Sequence, residues 1–414
     1  MDARIPEPYL YLDYAATAPL CPEAAEAMAP FDEPGAASLA LNANPNSLHG
    51  PGRAAYRALE QARRSLAQCL GARRPDEVTF TGGATEADNA ALWGLACAER
   101  DRRAQAGRPA AQPHVIVGAI EHEAVLQPAR ALRAAGFRVT ELPASRQGFV
   151  EVRSLEAALD ADTVLVSVQA ANSEVGSVQP VAELAACAHE AGALFHTDAV
   201  QALGKVPLSV EALGVDAASF SAHKVGGPRG VGALYLRART PFAPLLRGGG
   251  QESGRRSGTQ NVRGAVGFAA AASAVTARVA DDAAAMMALR ERLYGALAAL
   301  PSVQPTVDVA PGSLDYLPNV ASVLVEGLES ETMVLRFDGL GIGVSGGSAC
   351  SSHSLEPSHV LRAMGVPADL AQGALRVSFG RDTVAADVDA FLAAVPKVLR
   401  WEGRAAAPRE LGAR

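Results

Sequence analysis

The chain has 414 residues, 49% hydrophobic and 20% charged, the profile of a soluble globular protein long enough for two or more domains. Its 37 basic and 44 acidic residues give a net charge of −7 with both signs interspersed, which excludes a basic nucleic-acid surface and a polybasic membrane anchor. No apolar run approaches a membrane span, and the start MDARIPEPYLYLDY has neither the basic nor the apolar region of a secretory signal.

From about Asp76 to Leu236 short apolar runs alternate with helical patterns. The strand candidates, in chain order, are EVTFT, HVIVGA, RVTELP, TVLVSVQ, ALFHTDA, DAASFSA and GALYLR. Between them lie the helix candidates ATEADNAALWGLACAER, HEAVLQPARALRAAG, SLEAALDA, PVAELAACAHEAG and LSVEAL. Alternation of this kind, with nearly continuous apolar strands, predicts an α/β fold with a parallel sheet covered on both faces. Ligands of such sheets bind at the C-terminal ends of the strands. After Gly264 the sequence predicts a long alanine-rich helix, strands at TVDV, ASVLVEG, IGVSGG and ALRVSFG, and a last helix from Ala385. We therefore expect a large domain over 20–264 and a smaller α+β domain from 1–19 and 265–414.

Five cysteines (Cys21, Cys69, Cys97, Cys187 and Cys350) show no CxxC and no regular spacing, which argues against a zinc site or a disulfide framework. Scattered thiols in odd number fit a reducing, cytoplasmic compartment. Cys69, Cys97 and Cys187 lie in apolar helical stretches and read as core packing. Cys350 lies in VSGGSACSSHS, among glycines and serines, either as an incidental surface thiol or as one that must reach a partner. The local sequence leaves both readings open, because reactivity depends on the groups around the thiolate.

Four segments place chemistry where strands end. TGGATEAD opens a helix after a strand, so its first N–H groups offer an anion site, or merely an ordinary cap. FHTDAVQ ends a buried strand in Asp198, an acid that needs a cation beside it unless it only caps the next helix. SFSAHKVGGPRG delivers Lys224 into a Gly/Pro turn with Ser221 and His223 alongside. Alone it reads as a surface lysine; together with the other two segments it fits a Schiff base to pyridoxal phosphate, which needs a lysine, an acid and an anion cradle. GGGQESGRRSGTQ is too polar for a core and reads by composition as a linker, the alternative being a phosphate-contacting loop.

In order, YLDYAATAP, NPNSLHGPGR, TGGATEADN, EHEAVL, FHTDAVQALGK, SFSAHKVGGPRG, GGGQESGRRSGT, SGGSACSSHSLEPSHVLRAMG and ALRVSFGRDT resemble a cysteine desulfurase. That family belongs to the class V aminotransferases, in fold type I of the pyridoxal phosphate enzymes. The fold so implied is a large domain with a mainly parallel seven-stranded sheet between helices, plus a smaller α+β domain. The SACSS and SLEPS segments resemble the branch with the longer cysteine loop, which serves nitrogen-fixation and housekeeping iron–sulfur assembly.

The resemblance implies roles residue by residue. Lys224 would carry pyridoxal 5′-phosphate and move protons at the substrate α-carbon, Asp198 would pair with the ring nitrogen, and Gln201 would bond the phenolic oxygen. Ala84, Thr85, Ser221 and His223 would hold the phosphate, with Thr259 supplied by a second subunit of a homodimer. His122 would stack on the ring and act as acid and base, and Arg376 would grip the substrate carboxylate, with Asn44 and Asn172 near the substrate. Cys350 would be the nucleophile, taking sulfur from L-cysteine as a persulfide, leaving L-alanine, and passing it to a sulfur acceptor or iron–sulfur scaffold protein. No resident metal is implied, although Cys350 could transiently contact an iron–sulfur cluster. The alternative is an aminotransferase, or a selenocysteine or cysteine lyase, without persulfide transfer. The chain departs from the family at Ser173, which replaces a cofactor- and substrate-contacting asparagine, at Gly226 and Arg229 after the lysine, and in lacking the long acidic and aromatic tail that docks a scaffold.

Overall fold

All seven strand candidates between Asp76 and Leu236 form, and they form one sheet. A computed structural model describes residues 9–35, 38–347 and 357–400. The strand order is Val78–Thr81, Gly232–Leu236, Ala217–Ser221, Leu194–Asp198, Thr163–Ser167, His114–Gly118, Arg138–Leu142. Only Gly232–Leu236 runs against its neighbours. The inner strands are buried along their length except at Leu194, as runs without polar alternation require.

Strand alternation sends side chains to two apolar layers. Val115 and Val117 face helices Ala84–Gln105 and Glu123–Ala134. Ile116 and Val166 face the opposite layer, with helices Gly50–Cys69, Val181–Glu190 and Val262–Thr276. Pro128 lies inside its helix and cannot donate to the carbonyl of Ala124. Asn89 Nδ2 from the neighbouring helix reaches that oxygen at 3.4 Å, so the proline is tolerated.

Where structure and sequence differ, tertiary packing is the reason. The alanine-rich segment makes two helices, Val262–Thr276 and Val279–Leu297, with Ala277 and Arg278 between them. The first carries Val262, Ala265, Phe268 and Ala272 into the core under the large sheet. The division expected at residue 264 therefore cuts away a helix that packs with the large sheet. The second core gathers Leu12, Met286, Leu293, Val323, Leu375, Phe379 and Phe391 around a three-stranded antiparallel sheet of Val303–Pro305, Val320–Val325 and Ala374–Ser378. The strand expected at TVDV ends before it, at Pro305, because Asp308 gives its N–H to Gln147 Oε1 at 2.8 Å instead of to the ladder. Helix LSVEAL shortens to Val210–Leu213. Cys69, Cys97 and Cys187 pack at the rims of the cores and are half-buried, and Cys21 is buried.

One buried cation ties the second core to the first. Arg290 is fully buried, and its Nη1 donates to the carbonyls of Tyr316 and Leu317 at 3.0 and 2.7 Å. Its Nη2 reaches the carbonyl of Ser313 at 3.3 Å. The same loop gives Leu317 N–H to Gly176 O at 2.7 Å and takes Val178 N–H on Asp315 O at 2.8 Å. Arg290 thus braces the turn that carries Asn172 and Ser173. Arg290→Met keeps the length and removes the donors, leaving buried carbonyls unpaired; we expect a loss of about 3 kcal/mol in denaturant unfolding. A loss under about 1 kcal/mol would show that the loop does not depend on this guanidinium.

Candidate active site

The C-terminal ends of the parallel strands open into a cavity of about 480 Å³. Lys224, Asp198, Gln201, Ser221, His223, His122, Ala84, Thr85, Asn172, Ser173 and Arg376 all line it. They come from far apart in the sequence and meet because parallel strands deliver their following loops to one edge.

Asp198 is the last residue of its strand and is buried, with Oδ1 accepting the N–H of Val200 at 2.9 Å. Burial raises its pKa, while His122, the Val200 N–H and Lys224 pull it back. Two further buried acids stand nearby, Asp88 and Glu121, both pushed well above the usual carboxylate range by burial. The sequence reading passed over both. Asp88 Oδ1 and Glu121 Oε2 have no hydrogen-bond partner among the described residues. Room for Glu121 is made by Gly118, where a Cβ would stand 2.6 Å from Glu121 Oε1.

Lys224 ends the short turn Ala222–Lys224, and its Nζ donates to the carbonyls of Ala15 and Ala16 at 2.6 and 2.8 Å. Gln201 Nε2 reaches the same Ala15 oxygen at 3.0 Å. Opposite stands the N-terminus of helix Ala84–Gln105, whose first turn has no side-chain cap. Glu86 is turned away to Gly82 N–H and Arg256, each at 2.8 Å. Gly232 must lack a side chain here, because a Cβ would lie 2.6 Å from the carbonyl carbon of Gly83. His223 bonds Thr17 Oγ1 at 3.1 Å, and burial, with Lys224 and Arg229 beside it, lowers its pKa to about 4, so the ring is neutral.

His122 caps helix Glu123–Ala134 by accepting Ala124 N–H on Nδ1 at 3.1 Å, which leaves the proton of the neutral ring on Nε2. Arg376 is buried and donates to Ser173 O, Gly347 O and Asp13 Oδ1 at 3.0, 2.7 and 2.7 Å, keeping its Nε–H unpaired. Asn172 spends its side chain on the main chain, giving Nδ2 to Ile120 O and accepting Glu174 and Val175 N–H. Glu174 and His359 also line the cavity and went unnoticed in the sequence. Glu174 accepts Ser358 Oγ–H at 2.5 Å, and His359 Nε2 contacts Glu121 O at 2.9 Å.

Two expected residues are not in this chain's cavity. Asn44 is exposed, its Oδ1 held by Asn46, and Thr259 is exposed on the GGGQESGRRSGT loop. The loop is ordered where composition suggested a linker, because Glu252 is buried and accepts Arg63 at 2.6 and 2.9 Å and Phe80 N–H at 2.9 Å. Asn46 Nδ2 to Gln260 Oε1 at 3.0 Å joins the Asn44 segment to the Thr259 loop. Cys350 lies outside the described residues. Among the described residues no group of His, Cys, Asp and Glu is arranged for a metal, and no helix is long and apolar enough to cross a membrane.

The chain matches the family Aminotransferase class-V over residues 10–391. It is 43% identical to a cysteine desulfurase of Cereibacter sphaeroides over 94% of this chain and 95% of the relative. It is 40% identical to the cysteine desulfurase IscS of Methanosarcina thermophila over 94% of this chain and 92% of the relative. A solved NifS-like protein superimposes with a TM-score of 0.84 at 37% identity, covering 94% of this chain and 99% of that one. On these matches the chain belongs to the class V aminotransferase family, on its cysteine desulfurase branch.

Proposed function

We propose that the protein is a pyridoxal phosphate-dependent cysteine desulfurase, converting L-cysteine to L-alanine and a persulfide on Cys350. The observation that carries the reading is the convergence of Lys224, buried Asp198 and an uncapped helix start on one cavity. The residues fit the cofactor on their own chemistry. A buried acid whose charge needs a cation beside it is suited to a protonated ring nitrogen, and the helix N-terminus with Ser221 and neutral His223 is suited to a phosphate. Bound there, pyridoxal phosphate supplies a sink for the electrons released at the substrate α-carbon.

The chain's own residues do the rest. With the cofactor in place, Asp198 would pair with its ring nitrogen, Gln201 would bond its phenolic oxygen, and Lys224 would hold it and move the substrate α-proton. Arg376 would take the substrate carboxylate on its Nε edge, whose N–H has no acceptor among the described residues. His122 would give a proton from Nε2 and take it back there. Cys350 thiolate attacks the substrate sulfur, the S–S bond forming as the C–S bond breaks. The electron pair stays with the carbon skeleton, which takes up a proton and leaves as alanine. The persulfide sulfur then passes to an acceptor protein. We also propose a homodimer. The hydrogen-bonded segments that carry Asn44 and Thr259 also expose Leu48, 90% exposed, and Leu246, 42% exposed, and a two-fold partner would carry Thr259 to the other subunit's phosphate site.

Borohydride treatment of the holoenzyme is expected to fix the cofactor to Lys224 by mass spectrometry; fixation elsewhere would overturn the assignment. Cys350→Ala is expected to lose persulfide and alanine formation by more than about a hundredfold while keeping the cofactor band and a thermal midpoint near wild type, since the sequence VSGGSACSSHS offers no apolar neighbours of the kind a core thiol packs among. Alanine production at the wild-type rate would make the thiol a bystander. Sedimentation should give a dimer, and a fully active monomer would refute completion of the site across subunits.

A further inference from the structure

The segment that follows the large sheet's Leu194–Asp198 strand carries a second lysine for which the mechanism above has no use. It runs Asp198, Gln201, Gly204, Lys205, and its first two members line the cavity. Gly204 has φ +70°, and a Cβ there would stand 2.4 Å from Val275 Cγ2, so this turn is pressed onto helix Val262–Thr276 and its path is fixed. The next side chain, Lys205, is directed inward. Its Nζ donates at 3.1 Å to the main-chain carbonyl of Lys224.

We propose that Lys205 is a positioning residue for the reaction: it fixes the main chain of Lys224 and, through its positive charge, disfavours a proton on Lys224 Nζ. The inference rests on Lys224 carrying the cofactor. The geometry gives Lys205 both means. The Lys224 carbonyl ends a three-residue turn, and Lys205 supplies a charged donor to it. Among the described residues no carboxylate bonds Lys205. Asp282 is the anion that faces it, and Asp282 is itself 3.4 Å from Arg278. Lys224 is faced from the cavity by Asp198 and His223, the latter neutral at working pH, and from behind by Lys205. Burial, followed by repulsion from Lys224, lowers the Lys205 pKa to about 8, the reciprocal of the effect assigned to it here. A lysine that must accept a proton from carbon has to be available unprotonated, and a neighbouring cation is one established way to make it so.

The test is a spectrophotometric pH titration of the holoenzyme without substrate, following the visible band of the cofactor bound to Lys224. Lys205→Gln keeps a donor for the carbonyl and removes the charge, so its midpoint should rise by about one pH unit, a tenfold gain in proton affinity. Lys205→Arg should stay near wild type. Asp282→Asn removes the opposing anion and should shift the midpoint the other way; it also carries the test if Lys205→Gln does not fold. Wild-type midpoints in Lys205→Gln, or an upward or absent shift in Asp282→Asn, would overturn the proposal, since a purely structural lysine would lower stability without moving the titration. Borohydride fixation keeps the two readings apart. A label on Lys224 with unmoved midpoints sinks only this inference, whereas a label elsewhere sinks the assignment beneath it.

Discussion

An acid at the end of a buried strand sets the terms for everything around it. Taking a carboxylate out of water is costly unless a cation or hydrogen-bond donors answer it. Around Asp198 the sheet places Asp88 and Glu121 as well, so the cavity floor holds three acids in one dry region. Three negative charges cannot coexist there, and the group with His122 and Lys224 facing it is Asp198. The floor is thereby biased toward one charged acid, and that acid is at the strand end where a ring would lie. Burial biases the other two toward their uncharged forms.

The architecture then reads as a set of devices for bringing cations and dipoles to this acid. Parallel strands supply the common edge. The helix Ala84–Gln105 directs its uncapped N-terminus into the cavity because Glu86, which could have capped it, is engaged by Gly82 and Arg256. The second core supplies Arg376 from its own sheet, and Arg290 braces the loop behind the turn that Arg376 holds. The site therefore lies between two cores and depends on both being folded.

Much of this was legible in the sequence. The seven strands of the large sheet were visible because buried parallel strands are unbroken apolar runs, and Asp198, Lys224 and the TGGATE turn were visible because each interrupts such a run with chemistry. What was not legible depends on contacts far apart in the chain. Asp88 looks like any polar helix residue, and only the fold shows its Oδ1 buried without a partner. Glu252 sits in a loop whose composition suggests mobility, and its anchoring depends on Arg63 from another helix. The break at Ala277 is invisible in an alanine-rich segment, because both halves are equally good helix formers and only the cores they pack on differ.

The close approach of Gly232 to Gly83 reaches beyond local packing. The sheet's reversed strand begins beside the glycine that precedes helix Ala84–Gln105, and a Cβ at Gly232 would stand 2.6 Å from the Gly83 carbonyl carbon. The reversal is thus part of the cavity wall at that helix start. A chain that rebuilt this edge with a parallel strand, or let position 232 drift to any residue with a side chain, would reshape this end of the cavity without changing any of the charged or polar side chains that line it. Sequence tolerance here is governed by a residue with no chemistry of its own.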